Sequence, residues 1–169
     1  SGNTTLPTGT EFHVDLAAGT SAIQTTTDGS SIVQTCAETT GKGVSTNQSG
    51  ASISINISSL VAGKCSFTTD TLSSGSLTIT HLPGTDNGTV VAKGSVQTIN
   101  IGVSCRYGTG TGTHIGTLVG KTGAAEHATI AVSTVINEQE PKQFLCPDTT
   151  LWKTSYVVTS PTGFNVRAN

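Results

Sequence analysis

The sequence predicts an all-β protein: an antiparallel β-sandwich, Ig-like or jelly-roll-like with Greek-key connections, stapled by two disulfides. Three observations carry that expectation. Ser, Thr and Gly make up about two fifths of the chain, with Thr the commonest, a mixture that disfavours helices and suits strands and turns. Apolar residues alternate with polar ones along short windows, whereas the i, i+3, i+4 spacing of a helix is hard to find anywhere. Turn signals separate these windows at short intervals. With 169 residues and no linker long enough to divide them, residues 1–169 are expected to form one domain with a real core.

A polar lead, SGNTTLPTGT, precedes the first expected strand, EFHVDL, in which Phe12, Val14 and Leu16 share one face. Residues 1–16 therefore read as an arm able to add a strand to a neighbouring subunit, with Phe12, Val14 and Leu16 as the self-assembly surface; pairing within its own sheet is the simpler alternative. After the Asp28-Gly29 turn comes SIVQTC, and Gly41-Lys42-Gly43 reads as a further turn before SISINI, whose Ile53, Ile55 and Ile57 point one way. SLTIT groups Leu77 with Ile79, and the signals Pro83-Gly84 and Asp86-Asn87-Gly88 lead into TVVAK. INIGVSCRY reads as one strand carrying Ile99, Ile101, Val103, Cys105 and Tyr107 on one face. A Gly-Thr connection then leads to a strand through Leu118, to TIAVSTVI, to the exposed charged loop NEQEPKQ and to LWKTSYVVT. Beyond the Pro161-Thr162-Gly163 turn, GFNV is the last expected strand.

The cysteines, Cys36, Cys65, Cys105 and Cys146, are widely spaced and contain no C-x-x-C pair, so disulfides are favoured over zinc or a redox dithiol. Three pairings exist. Cys36 with Cys65 and Cys105 with Cys146 is the favoured one, because consecutive strands tend to be spatial neighbours. Disulfides in turn imply an oxidising, extracellular setting, and the start SGNTT fits a chain whose secretory signal has been removed.

Charged residues are only 11% of the chain and the formal net charge is −2, which removes the electrostatic case for a nucleic-acid partner. No run of 18 apolar residues is present, so no membrane-spanning helix is expected.

The segment CRYGTGTGTHIGTLVGKT looks most like a catalytic signature. A phosphate-binding loop needs G-x-x-x-x-G-K-[ST], but only three residues separate Gly116 from Gly120, and Ile115 stands where the first glycine is required. The dinucleotide fingerprint also fails, because Gly112 is followed by glycine only at Gly116. No G-x-S-x-G or H-E-x-x-H motif occurs, and the four histidines, His13, His81, His114 and His127, are scattered; no enzyme, cofactor or metal site is expected. Glu138 and Glu140 read as solvated loop residues. On an extended strand Thr109, Thr111 and Thr113 would face one side, and with Tyr107 and Trp152 they form the candidate ligand surface; outward polar positions and core packing explain the same residues without a ligand.

Three segments, LTITHLPGTDNGTVVAKGS, VSCRYGTGTGTHIGTLVG and FLCPDTTLWKTSYVVTSPTGFNV, taken with the cysteine layout from Cys36 onward, resemble a group of small secreted four-cysteine bacterial β-proteins of unknown function. In that group a Cys-x-Tyr-Gly-Thr segment precedes a Gly-Thr-Leu strand and a late Cys-Pro precedes a Trp strand; here these are Cys105 to Thr109, Gly116 to Leu118, and Cys146 to Trp152. The layout also resembles secreted surface or adhesive proteins termed alkane-oxidation activators. The resemblance implies an extracellular, non-catalytic role and transfers no active-site residues.

The function expected from the sequence is a secreted structural or cell-surface protein that assembles with copies of itself, as a filament joined by strand addition. The alternative is an extracellular module that binds a glycan or another surface ligand.

Overall fold

The computed structural model describes residues 5–70 and 75–168. Among these residues are twelve strands: β1 Glu11–Leu16, β2 Ala22–Thr25, β3 Ile32–Ser45, β4 Ser52–Cys65, β5 Thr68–Asp70, β6 Gly75–His81, β7 Gly88–Lys93, β8 Val96–Asn100, β9 Ser104–Gly108, β10 Thr113–Val119, β11 Thr129–Glu138 and β12 Thr149–Ser160. No helix occurs among the described residues.

The expected sandwich is corrected by the strand order: the sheet closes on itself as an eight-stranded antiparallel barrel. Closure is made by β1, which pairs on one edge with β3 (Glu11 opposite Val44 to Asp15 opposite Thr40) and on the other with β12 (Val14 opposite Val158, Leu16 opposite Tyr156). β2 continues the same slot end to end, with Ala22 opposite Cys36 on β3 and Ile23 opposite Lys153 on β12. In the same way β5 and β6, β7 and β8, and β9 and β10 fall in line, since their partners continue in register along the neighbouring strands. The twelve strands are thus eight staves in sequence order, an up-and-down meander rather than a Greek key. A sandwich and a barrel demand the same alternation along each strand; they differ only in whether the last strand returns to the first.

Inside, the alternating apolar residues meet as expected for a closed wall: Ile53 and Ile55, Ile79, Val90, Ile130 and Val132, and Val158 are all buried in one cluster. Close wall spacing depends on glycine at Gly116, where a methyl group would overlap the carbonyl oxygen of Ala131 on β11.

Three local expectations change. INIGVSCRY is not one strand but the β8–β9 hairpin, turned at residues 101–103, where Gly102 takes φ +97°. Gly41-Lys42-Gly43 is not a turn but lies within the last third of β3. GFNV is not a strand: after the turn at Gly163 the chain folds across one barrel end and drives Phe164 and Val166, both fully buried, into the interior. Phe164 meets Phe12 edge to face with ring centroids 5.0 Å apart. Backbone bonds from Lys121 N–H to Phe164 O (2.9 Å) and from Arg167 N–H to Gly50 O (3.2 Å), with the Arg167–Asp86 ion pair, hold this plug in place.

Disulfides tie the opposite end. Cys36 bonds Cys65 between β3 and β4, and Cys105 bonds Cys146 between β9 and the β11–β12 connection, the favoured pairing. A second buried cluster of Val33, Ile99, Cys105, Tyr107, Ile136 and Cys146 fills that end.

If Phe164 is the plug, Phe164→Ala should destabilise the fold by about 3–5 kcal/mol, the usual cost of emptying a buried aromatic site, measured as the shift of a urea unfolding midpoint at unchanged slope.

Candidate functional site

Between the plugged end and the disulfide-tied end the barrel encloses a cavity of about 140 Å³. It exists because the inner face of β3 is stripped of bulk where it passes the middle of the barrel: Thr39, Gly41 and Gly43 line it in alternation. A methyl group at Gly41 would come within 2.8 Å of Val14 Cγ2 and 3.1 Å of Leu60 Cδ1, so the glycine lets those two side chains close over it. The rest of the wall is largely apolar, including Ile115, Val132, Ile136 and Tyr156. Ile57, Leu60 and Ala62 of β4 are only half-buried, so along that stave the cavity comes nearest to solvent.

Trp152 lines the cavity and packs against both hydrophobic clusters, joining the two ends of the interior. The two tyrosines in the wall are held neutral. Burial first, then the negative charges of Glu138 and Asp148, pushes the Tyr107 hydroxyl up to about 12, and that hydroxyl donates to Pro147 O at 2.8 Å. Burial likewise pushes Tyr156 up to about 12.

Among the described residues most buried polar side chains away from the cavity are satisfied, Thr154 Oγ1 on β12 being the exception. Gln24 Nε2 donates to Thr150 Oγ1 at 2.6 Å, Gln34 Oε1 accepts from Phe67 N–H at 2.9 Å, and Glu138 Oε1 accepts from Gln143 N–H at 2.7 Å. Two hydroxyls on the cavity wall are likewise left over: Thr39 Oγ1 and Ser95 Oγ are buried, and no group among the described residues hydrogen-bonds to them. Ser95 sits where the β7–β8 stave is interrupted. Its N–H donates to Thr109 Oγ1 (3.1 Å) and its carbonyl accepts from Thr109 N–H (3.0 Å), which leaves the hydroxyl as its remaining polar group. Gly75 faces that hydroxyl, and a methyl group there would overlap Ser95 Oγ.

The residues expected to form a ligand surface are divided. Tyr107, Thr109 and Trp152 line the cavity from within, whereas Thr111 lies exposed in the turn between β9 and β10. Thr113 is half-buried at the start of β10 and donates its hydroxyl to Thr109 O at 2.9 Å. The three threonines do not form one face, because Gly110 and Gly112 take positive φ and break the strand between them. Of the expected self-assembly residues, Phe12 and Val14 also line the cavity, while Leu16 is half-buried at the end of β1; residues 1–4 of the expected arm lie outside the described residues.

The histidines do not converge on a shared site. His81 Nε2 donates to Thr85 O (2.9 Å), His127 Nδ1 donates to Val158 O (3.0 Å), His13 lies on β1 and His114 is exposed on β10. Glu138, expected in solvent, is buried at the end of β11. Sequence reasoning missed Thr39 and Ser95, because a polar residue turned inward reads like one turned outward. The available signal was the Gly-x-Gly that follows Thr39 in strand parity.

Raised tyrosine values have a pH consequence. A tyrosine held neutral above its ordinary value near 10 contributes stability that is intact below that value and is lost as pH rises towards 12. Ultraviolet titration should therefore show little tyrosinate before pH 11 and a steep joint ionisation and unfolding above it. Comparison with known proteins gives no match to this chain among family models, curated proteins or solved structures.

Proposed function

We propose that this is a secreted, non-catalytic binding protein that holds a small, mainly apolar guest inside its barrel. The observation that carries this reading is the cavity of about 140 Å³ in the middle of a wall otherwise packed with apolar side chains. Eight-stranded barrels have interiors just large enough either to be filled by side chains or to hold one small ligand, and the missing bulk at Gly41 and Gly43 favours the second state. Two disulfides fit an oxidising compartment. The polarity of the wall, with isoleucines and valines inward, is opposite to that of a barrel embedded in lipid.

This reading takes up the ligand-binding alternative, with the guest inside the barrel rather than a glycan on its outer face. Assembly by strand addition would require β1 to leave a slot in which both of its edges are hydrogen-bonded, and to uncover Phe12. Binding needs no such rearrangement.

A second reading, association of copies, draws on the disulfide-tied end. Its connections and strand starts carry exposed apolar side chains: Phe144 at 101% and Leu145 at 68%, with Ile32 and Phe67 at the same end. In this reading copies meet through that rim, not by exchanging β1.

Toluene is a probe of suitable size for the cavity. Titration should shift the emission of Trp152, the sole tryptophan, and raise Tm increasingly with toluene concentration, logarithmically once the site is full. If neither saturated toluene nor phenol changes either readout, the binding reading is overturned. For the second reading, sedimentation velocity should show concentration-dependent association that is abolished by Phe144→Ser with Leu145→Ser; a monomer at all concentrations would dispose of it.

A further inference from the structure

We infer that the guest is a small neutral molecule with an apolar body and one or two hydrogen-bonding oxygens, received by the hydroxyls of Thr39 and Ser95. This rests on the reading of the barrel as a guest carrier and specifies the chemistry of that same cavity.

Three observations converge. Thr39 and Ser95 are more than nine-tenths buried, both line the cavity, and neither hydroxyl has a partner among the described residues. Removing such groups from water without a partner is unfavourable, and evolution at an inner-wall position could avoid it with Val or Ala at no loss of shape. The hydroxyls become favourable once something in the cavity hydrogen-bonds to them. Each can both donate and accept, so an alcohol, a phenol or a carbonyl compound satisfies them equally.

Charge excludes ions. The charged side chain among the lining residues, Lys42, is exposed and lies on the outward phase of β3, between Gly41 and Gly43. A carboxylate or ammonium in the middle of the barrel would therefore be buried without a counter-charge.

Size sets the scale of the guest. An apolar protein cavity of about 150 Å³ accommodates benzene, so a single ring or a short branched chain carrying one hydroxyl fits here.

The test compares phenol, toluene and benzoate on the intact chain. Phenol and toluene have the same number of heavy atoms and nearly the same shape, and they differ in the hydroxyl. Affinities are read from Trp152 emission and calorimetry for the wild type, Thr39→Val and Ser95→Ala. Both substitutions keep the shape of the site, and retained cooperative unfolding confirms that each variant folds. Loss of the hydroxyl that phenol uses should weaken phenol by about threefold to tenfold while leaving toluene unchanged or tighter, so that the phenol-to-toluene preference falls in at least one variant. Benzoate should not compete at neutral pH. If phenol and toluene bind but their ratio is the same in all three proteins, or if benzoate binds as well as phenol, the inference is wrong while the carrier reading stands. If neither phenol nor toluene binds the wild type, the carrier reading itself fails.

Discussion

The pairing of the last stave with the first is the constraint on which the rest of this structure depends. β1 can hydrogen-bond to β12 only if the six staves between β1 and β12 curl far enough to bring the two ends of one sheet together. Once they do, the ring has no free edge along the paired staves, and the period-2 alternation acquires an inside and an outside. Each isoleucine or valine on the inner phase then packs against residues from across the ring and not against a second sheet. The interior is a consequence of closure, and so is its limited width.

Closure leaves two open ends, and the chain treats them differently. One end is filled by its own tail, with Phe164 against Phe12 and with Val166, Arg167 and Asp86 fastening the tail to neighbouring loops. The other is tied covalently, with one cross-link between adjacent staves and one to the long β11–β12 connection. Each link of 29 or 41 residues removes unfolded-state freedom corresponding to about 3–4 kcal/mol in the chain-entropy model, a substantial share of a small domain's stability. With both ends secured, the middle of the barrel can remain underfilled, and this is where Gly41, Gly43 and the two unpartnered hydroxyls lie.

Much of the local structure is legible in the sequence, because alternation reports directly on strands. EFHVDL, SISINI, TVVAK and TIAVSTVI all occur where their apolar phase places them. The architecture is not legible in the same way, since alternation carries no information about which strand is the neighbour of which. Gly41-Lys42-Gly43 misleads because glycine marks both turns and places where a wall must lose bulk, and the two uses are indistinguishable without the partner Val14. GFNV shows the converse. Its alternation does mark buried residues, but they are buried by insertion into a barrel end and not by pairing. The disulfides were readable because a meander makes sequence neighbours into spatial neighbours, which is the premise of the favoured pairing. Thr39 and Ser95 were not readable, for a threonine facing in and a threonine facing out differ only in the phase of a strand that contains few large apolar residues to set it.

An even number of staves has a geometric result of its own. Successive staves reverse direction, so the eighth ends where the first begins, and His13 and Ser160 lie opposite one another. Chain entry and exit therefore share the plugged face. Any tether at either terminus would make the molecule a post with its base at Phe164 and its free head at the cross-linked loops that bear Phe144 and Leu145. Such a body has a built-in direction, since its two ends differ in how they are fastened and in the apolar surface they expose.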